Sequence, residues 1–179
     1  TAYNVAVGYN AGQAITTGVT NVIMGGNAGL ALTSGSDNIA IGYSALSTED
    51  ARGRSIAIGT SALSSQNVAG SNAWNIAIGH NAGTTVSTGV NNVIIGGQAG
   101  DAITTGADNL AIGRQALSAK TTGGGDVAIG HQALQDADGG DAFNVAVGYR
   151  AGRNVTTGIR NILIGASAGD TLSTGLDNI

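Results

Sequence analysis

The 179 residues include 31 Gly but no Pro and no Cys, only 10% of them are charged, and the net charge is −4. Collagen is excluded because Gly does not fall at every third position and Pro is absent. Disorder is excluded because 42% of the residues are hydrophobic and recur at fixed spacing. No basic patch suits nucleic acid, and no apolar run reaches the about 20 residues of a membrane span.

One motif recurs along the chain: Asn, an aliphatic residue, a third apolar residue, an aliphatic residue and Gly. It is too short for a helix and rich in Val and Ile, so each copy predicts a β-strand. The steps are 17, 17, 17, 20, 17, 17, 17, 18, 17 and 17 residues. In chain order the copies begin at Asn4, Asn21, Asn38, Ser55, Asn75, Asn92, Asn109, Asp126, Asn144, Asn161 and, truncated, Asn178.

Copies in register predict an all-β fold, a parallel β-solenoid or β-roll with about one 17-residue turn per repeat. A single turn cannot bury its apolar side, but stacked turns form a continuous core. Ten turns at about 4.8 Å of strand spacing predict a rod about 48 Å long. The Gly at the end of each strand and in the following corner can adopt the positive φ that a sharp turn needs.

Each strand Gly is followed three residues later by Ala, and the next residue is either Gly or Leu. Where it is Gly, an aliphatic residue follows three positions on, at Ile15, Leu32, Val86, Ile103, Val155 and Leu172. Where it is Leu, that later position is not a large aliphatic residue; these turns carry Leu46, Leu63, Leu117 and Leu134. The two kinds of turn are therefore expected to supply similar apolar volume to one core.

The turns also group in fours, because an aromatic residue precedes the first motif of each group at Tyr3, Trp74 and Phe143. The two long steps fall just before Trp74 and Phe143, which predicts loop insertions at one corner of every fourth turn. We expect a single repeat domain over 1–179 with super-repeats 4–74, 75–143 and the incomplete 144–179. The chain is expected to be a fragment of a longer fibre.

Side chains alternate along a strand, so Val5 and Val7 face one way and Ala6 the other. The Val5/Val7 positions are expected to supply about 20 aliphatic side chains to the core. The central position is also apolar, with a large residue once per super-repeat at Ile23, Ile94 and Leu163. Either the solenoid buries this second face or another chain covers it. We favour another chain, because a 17-residue turn encloses little volume, and we expect the large residues to set the register of that contact.

The Asn that opens most strands predicts a hydrogen-bonded ladder of stacked amides. A row of ligand-binding Asn residues is the alternative.

The segments 25–29 and 96–100 superficially resemble phosphate loops, but no Lys follows them and no helix is predicted after them. They are interpreted as tight corners.

Candidate chemical sites are few, and we predict no catalytic, cofactor-binding or metal residues. His80 and His131 lie in different turns, so surface corner positions are favoured over a shared metal site. The loop residues Asp136, Asp138 and Asp141 could wrap calcium, but a solvated loop is favoured. A second charged corner, also expected to be solvated, contains Glu49, Asp50, Arg52 and Arg54.

Threonines of the Thr-Thr-Gly corners are expected along one edge of the rod, as turn residues or as O-glycosylation sites; they are Thr17, Thr105, Thr122 and Thr157. Asn154-Val155-Thr156 is a single N-glycosylation sequon.

Ice binding would need a regular row of Thr, and a row through Thr88 is broken by Asp50, Gln66 and Asp138. An enzyme is disfavoured because no nucleophile–base pair stands out, although Trp74 and the acidic loop 136–141 could hint at polysaccharide cleavage.

The stretch Asn38-Ile39-Ala40-Ile41-Gly42-Tyr43-Ser44-Ala45-Leu46, with the recurring Thr-Thr-Gly segment, resembles repeats of phage tail fibres. It is also similar to head repeats of trimeric autotransporter adhesins, and the resemblance covers the whole chain. It implies an intertwined or side-by-side homotrimer of left-handed β-rolls that projects from a virion or cell surface. The expected function is a non-enzymatic shaft or adhesive head that meets a receptor or glycan. Alternatives are an end-to-end extracellular filament and an ice- or glycan-binding solenoid.

Overall fold

The computed structural model describes residues 2–49, 51, 53–68 and 72–179. Ten three-residue strands pair in chain order in one parallel sheet. The chain forms a β-solenoid of about 9 turns with roughly 17 residues per turn, which confirms the predicted fold class. The strands are β1 Val5–Val7, β2 Val22–Met24, β3 Ile39–Ile41, β4 Ile56–Ile58, β5 Ile76–Ile78, β6 Val93–Ile95, β7 Leu110–Ile112, β8 Val127–Ile129, β9 Val145–Val147 and β10 Ile162–Ile164.

Every strand pairs at equivalent positions of the next turn, as Ile39 does with Ile56. The hydrogen-bonded ladder extends past the three strand residues on both sides. Ile39 N donates to Ser55 O at 3.0 Å, and Gly59 N donates to Ile41 O at 2.7 Å. The repeat therefore stacks its corners as well as its strands, which is why the 17-residue period is kept so strictly.

The Gly at the end of each of the strands β1 to β9 is required by two independent constraints. Gly59 has a φ of +130°, a backbone conformation that only Gly adopts readily. A Cβ at Gly59 would also lie 2.4 Å from the carbonyl oxygen of Gly79 in the next turn. Positive φ at the strand ends confirms that part of the turn prediction, and the close approach of backbones adds a reason that composition alone did not reveal. The prediction is wrong for Gly18, Gly106 and Gly158 of the Thr-Thr-Gly corners, which do not have positive φ; there only the close approach applies, since an added Cβ would lie 2.4–2.7 Å from a carbonyl oxygen of the next turn.

The central residue of the strand, and not its two neighbours, points into the solenoid. Ala77 and Ile94 are fully buried, and Leu163 is 6% exposed. The prediction that the Val5/Val7 positions form the core and that the central position faces another chain is therefore wrong. A 17-residue turn has a narrow interior, so the small central Ala fits inside and the two larger aliphatic residues are left outside.

The large central residues also do not set an inter-chain register, because they are core residues. Ile94 is accommodated by Gly83 and Gly100, where an added Cβ would lie 2.9 Å and 3.3 Å from Ile94 Cδ1. Leu163 is accommodated in the same way by Gly152 and Gly169. The four-turn period thus keeps the volume of the core constant: a large central strand residue occurs where the neighbouring turns have Gly at the corner position.

The predicted exchange between the two kinds of turn is confirmed. Leu46, Leu63, Leu117 and Leu134 are fully buried, as are their counterparts Leu32, Val86, Ile103 and Val155. In the Leu-containing turns, the residue three positions after the Leu is not a large aliphatic residue, but it too lies inside the solenoid. Glu49, predicted to be solvated, is 0% exposed, and so are Gln66, predicted to interrupt a surface Thr row, and Lys120.

Candidate assembly face and corner rows

The outer side of the sheet carries only aliphatic side chains and one Met. We call this surface the aliphatic face. Its members are half-buried or exposed, with exposed fractions of 36% at Ile78, 42% at Met24 and 56% at Val7. One row is Val5, Val22, Ile39, Ile56, Ile76, Val93, Leu110, Val127, Val145 and Ile162, and the other is Val7, Met24, Ile41, Ile58, Ile78, Ile95, Ile112, Ile129, Val147 and Ile164.

The predicted Asn ladder runs beside this face and is buried. Asn92 Nδ2 donates to Asn75 Oδ1 at 3.2 Å and to Gly106 O at 2.9 Å. Asn92 Oδ1 in turn accepts from Asn109 N at 3.1 Å. Each amide therefore links its own turn to two others, which confirms the ladder and explains the Asn at the start of most strands by packing alone.

At Ser55 the ladder residue is too short, and Gln66 supplies the missing amide. Gln66 Nε2 donates to Ser55 Oγ and to Glu49 Oε2, both at 2.9 Å. Gln66 Oε1 accepts from Asn75 Nδ2 at 2.8 Å. Sequence reasoning missed this substitution, although the simultaneous appearance of Ser in the ladder and Gln at an apolar position was a visible signal.

At Asp126 the ladder residue is charged, and a buried Lys compensates it. Lys120 Nζ donates to Asp126 Oδ2 at 2.8 Å and also contacts Gly140 O. Asp126 Oδ1 still accepts from Asn144 N at 2.8 Å. The ladder is therefore continuous through this turn, but part of its hydrogen bonding is replaced by an ion pair that the sequence analysis did not identify.

A second stacked row consists of the residues that immediately precede the ladder positions, and we call it the corner row. Its members are Tyr3, Thr20, Asp37, Arg54, Trp74, Asn91, Asp108, Gly125, Phe143, Arg160 and Asp177. From Thr20 onward they all have positive φ, between 53° and 77°. The row therefore projects from a uniform left-handed corner of the solenoid.

Neighbours in the corner row pair through charge and aromatic contacts. Asn91 Nδ2 donates to Asp108 Oδ1 at 3.0 Å. Arg160 binds Asp177 through two hydrogen bonds, of 2.6 Å and 2.9 Å, and this bonding holds the pKa of Asp177 below its usual value. Because both side chains are more than half exposed, the pair contributes little to stability.

Arg54 lies between two members of the row. Its Nε is 3.6 Å from Asp37 Oδ2, and its Cζ is 4.8 Å from the centre of the Trp74 ring. The charged corner predicted around 49–54 is therefore only partly solvated: Arg54 is half-exposed, but Glu49 is buried. Asp50 and Arg52 lie outside the described residues.

The predicted His positions lie in a different row, which follows the strand Gly. His80 and His131 follow β5 and β8, so they are three turns apart. Nε2 of His131 is 3.1 Å from Arg114 Nη1, and its ring stacks on Tyr149 with a centroid separation of 5.4 Å. The structure therefore does not bring the two His together.

The acidic loop binds backbone of the preceding turn. Asp138 Oδ1 accepts from Thr121 N at 2.9 Å and from Thr121 Oγ1 at 2.7 Å, and Asp141 Oδ1 accepts from Gly124 N at 2.8 Å. Asp136 takes part through its backbone amide, which donates to Arg153 O at 3.0 Å. Within 2–49, 51, 53–68 and 72–179, no three His, Asp or Glu side chains come together in a geometry that could hold a metal ion.

The predicted Thr corners are exposed at Thr17, Thr88, Thr105, Thr122 and Thr157. In the sequon, Asn154 is exposed and its Nδ2 donates to Asp170 O at 2.6 Å, whereas Val155 is buried. The Gly-rich segments 25–29 and 96–100 are turns, with Asn27 and Gln98 both at a φ of 57°.

A cavity of about 250 Å³ opens beside the corner row in the second super-repeat. It is lined by Thr105, Ala107, Asp108, Gly123, Gly124, Gly125, Asp141 and Phe143. Phe143 is 59% exposed, so part of its ring is available at the mouth of this cavity. In the sequence, Phe143 and Asp141 belong to different patterns, and no signal joins them to Asp108.

Comparison of the chain with protein-family models, with curated proteins and with solved structures found no match. The part of the chain that the structure describes contains no helix with the length and apolarity needed to cross a membrane.

Proposed function

We propose that this chain is a non-enzymatic structural or adhesive segment of an extracellular fibre, such as a phage tail fibre or surface adhesin, in which three copies associate through their aliphatic faces. The observation that carries the proposal is the aliphatic face itself. All 20 of its positions are Val, Ile, Leu or Met, and none of those described is fully buried within the single chain. A sheet face that water covers would instead carry polar residues, so that polar and apolar residues would alternate along each strand.

The dimensions of the face favour burial against other chains. Ten strands of three residues form a surface of about 48 by 10 Å, or about 480 Å² in projection. Such an area falls within the about 300–600 Å² of the largest apolar patch on a typical monomer, a patch that often has a function such as association. Each added turn contributes two further aliphatic side chains, so the contact would grow in proportion to the length of the fibre.

The number of copies follows from the resemblance to trimeric fibre repeats. A strip only about 10 Å wide and flanked by polar corner rows suits three chains arranged around a common axis, each with its aliphatic face turned inward. The corners then point outward along the fibre. Exposed aromatic side chains there, at Tyr9 and Tyr43, would be available to a receptor or a surface glycan.

Light scattering coupled to size exclusion tests the proposal. We expect a mass near three times 17.4 kDa, and we expect Ile58→Glu to dissociate the assembly because a carboxylate would be desolvated beside two copies of itself. Thr60→Glu is the matched control, since Thr60 is exposed at the corner of the same turn and its substitution should leave the mass unchanged.

A monomeric mass for the unmodified chain at tens of micromolar would contradict the proposal. Long filaments in negative-stain images whose formation is insensitive to Ile58→Glu would indicate end-to-end association in place of lateral association. Lateral trimers that also join end to end would remain consistent with a fibre.

A further inference from the structure

Three arginines in the corners that follow β7 and β9 form no ion pair with a carboxylate of the described residues. We call Arg114, Arg150 and Arg153 the arginine patch. Acidic residues outnumber basic residues by 11 to 7 in this chain, so partners for these three are not scarce. Each of the other described basic residues is paired, Arg54 with Asp37, Lys120 with Asp126 and Arg160 with Asp177.

Two guanidinium groups of the patch approach the corner after β8 from the turns on either side of it. Arg114 Nη1 lies 3.1 Å from His131 Nε2, and because a guanidinium has only donors, this ring nitrogen accepts. From the following turn, Arg150 Nε donates to Gln132 Oε1 at 3.0 Å. His131 and Gln132 are adjacent in the chain, so neutral acceptors hold two positive charges over one dipeptide.

Arg153 extends the patch along the same corner. Its Nε donates to Gln135 Oε1 at 3.1 Å, again in the turn that follows β8. Two acidic residues border it, Asp136 next to Gln135 and Asp170 at the equivalent position of the next turn. Neither is ion-paired with an arginine of the patch, and Asp170 Oδ1 instead accepts from Asn154 Nδ2 at 3.3 Å. The patch therefore presents positive charge that the described residues do not neutralise.

We propose that the arginine patch binds an acidic polysaccharide, whose carboxylates supply the missing negative charge. A guanidinium and a carboxylate form two parallel hydrogen bonds, which is a strong and directional contact. The side-chain bonds of Arg150 and Arg153 described above use only Nε, so the terminal nitrogens of both groups are available as donors. Arg114 is exposed, and Arg150 and Arg153 are half-buried, so a ligand reaches all three.

Amide side chains beside the patch favour a sugar chain over an acidic peptide. Gln98, Gln115 and Gln132 occupy the same position in three successive turns, and Gln132 Nε2 donates to Gln115 Oε1 at 3.2 Å. Each amide has further donors and acceptors for the hydroxyl groups between the carboxylates of a sugar chain. The row runs along the solenoid axis, which suits a linear polymer. The choice of a polysaccharide rests on the proposed fibre function, whereas the preference for an anion does not.

Saturation-transfer NMR with oligogalacturonate as the probe tests this site in the chain as it assembles. We expect saturable binding with a dissociation constant in the high micromolar to millimolar range, because the contacts are partly exposed. Added salt should weaken the binding by screening. The methyl-esterified probe has the same sugar chain without the charge and should not bind. A polyglutamate peptide with the same number of carboxylates should bind more weakly, because it has no hydroxyl groups for the amides.

Arg150→Gln and Arg153→Gln remove one charge each and install the residue that the preceding turn has at the equivalent position. The backbone accommodates the first change, since Arg150 has a φ of 54° and Gln132 a φ of 58°. Each variant should weaken binding by about two- to fivefold, and the double variant by about tenfold. Arg160→Gln is the matched control, because it removes the same charge from a guanidinium already paired with Asp177, and it should leave binding unchanged.

Circular dichroism melts establish that each variant is folded, and if the double variant does not fold, the single variants decide the question. The proposal is overturned if oligogalacturonate shows no saturable binding, or if the methyl ester or polyglutamate binds as tightly. It is also overturned if folded Arg150→Gln and Arg153→Gln bind as the unmodified chain does, or if Arg160→Gln weakens binding equally. Light scattering separates this result from the fibre proposal: a monomer that binds the probe contradicts only the trimer, and a trimer that does not bind contradicts only the patch.

Discussion

Lys120 Nζ lies 2.8 Å from Asp126 Oδ2, and both side chains are fully buried. The pair interrupts a ladder that is otherwise built mainly of neutral Asn amides. One turn later the same two positions carry Ala137 and Asn144, both buried, and Asn144 continues the ladder without a Lys. The chain therefore contains its own uncharged version of this arrangement.

Removal of Lys120 alone should be strongly destabilising. Lys120→Met leaves the Asp126 carboxylate buried without its cation, and we expect the free energy of unfolding to fall by about 3–5 kcal/mol. Lys120→Ala combined with Asp126→Asn reproduces the Ala137–Asn144 arrangement and should recover most of that loss. Urea denaturation measures both, and a double variant as unstable as the single one would contradict this account.

Asn92→Ala should show what one ladder amide contributes. The change leaves Gly106 O and Asn109 N without the side-chain partners described above, and each buried unsatisfied group costs about 1–3 kcal/mol. We expect a loss of about 2–6 kcal/mol in urea denaturation. Asn91→Asp, next to it in the exposed corner row, keeps a residue type that tolerates the positive φ there and should cost less than about 1 kcal/mol; equal losses would indicate that burial of the ladder is not what matters.

Gly59→Ala should disrupt the stack, because an added Cβ meets the Gly79 carbonyl at 2.4 Å and the φ is +130°. We expect a loss of at least about 3 kcal/mol. Gly97→Ala is the control, since a Cβ there has no heavy atom within 4 Å, and it should change stability by less than about 0.5 kcal/mol. Thermal melts compare the two, and similar midpoints would count against the close-approach argument.

Ile94→Ala tests whether the large central residue belongs to the core. Because Ile94 is fully buried, we expect a loss of about 2–5 kcal/mol, against about 0.5–1.5 kcal/mol for Ile94→Val. Both variants should keep the oligomeric mass of the unmodified chain while folded. A variant that retains its stability but loses association would instead show that Ile94 makes an inter-chain contact.

Much of this architecture could be predicted from the sequence because a strict period carries it. The 17-residue steps identified the strands, the Asn amides identified the ladder, and the exchange between Leu46-type and Leu32-type residues identified the core corners. Each of these features repeats in every turn or in a regular pattern of turns. A pattern of that kind reflects stacking, since equivalent residues of successive turns must contact one another.

The direction in which the strands face could not be predicted, because alternation is informative only when one face is polar. Here both Val7 and Ala6 types are apolar, and the small interior of the solenoid, not hydrophobicity, selects Ala for the inside. The burial of Glu49, Gln66 and Lys120 was hidden for a similar reason. Their polar atoms are satisfied by ladder residues or by neighbouring turns, which only the folded chain brings within reach.

The sequence by itself thus determined the repeat, the parallel register and the rows of residues that stack upon one another. Only the tertiary structure decided which row lies inside, which row is left outside as the aliphatic face, and where a corner row opens into a cavity at Gly125. The period of a solenoid fixes neighbours along its axis, but packing volume across a single turn fixes which way each neighbour points.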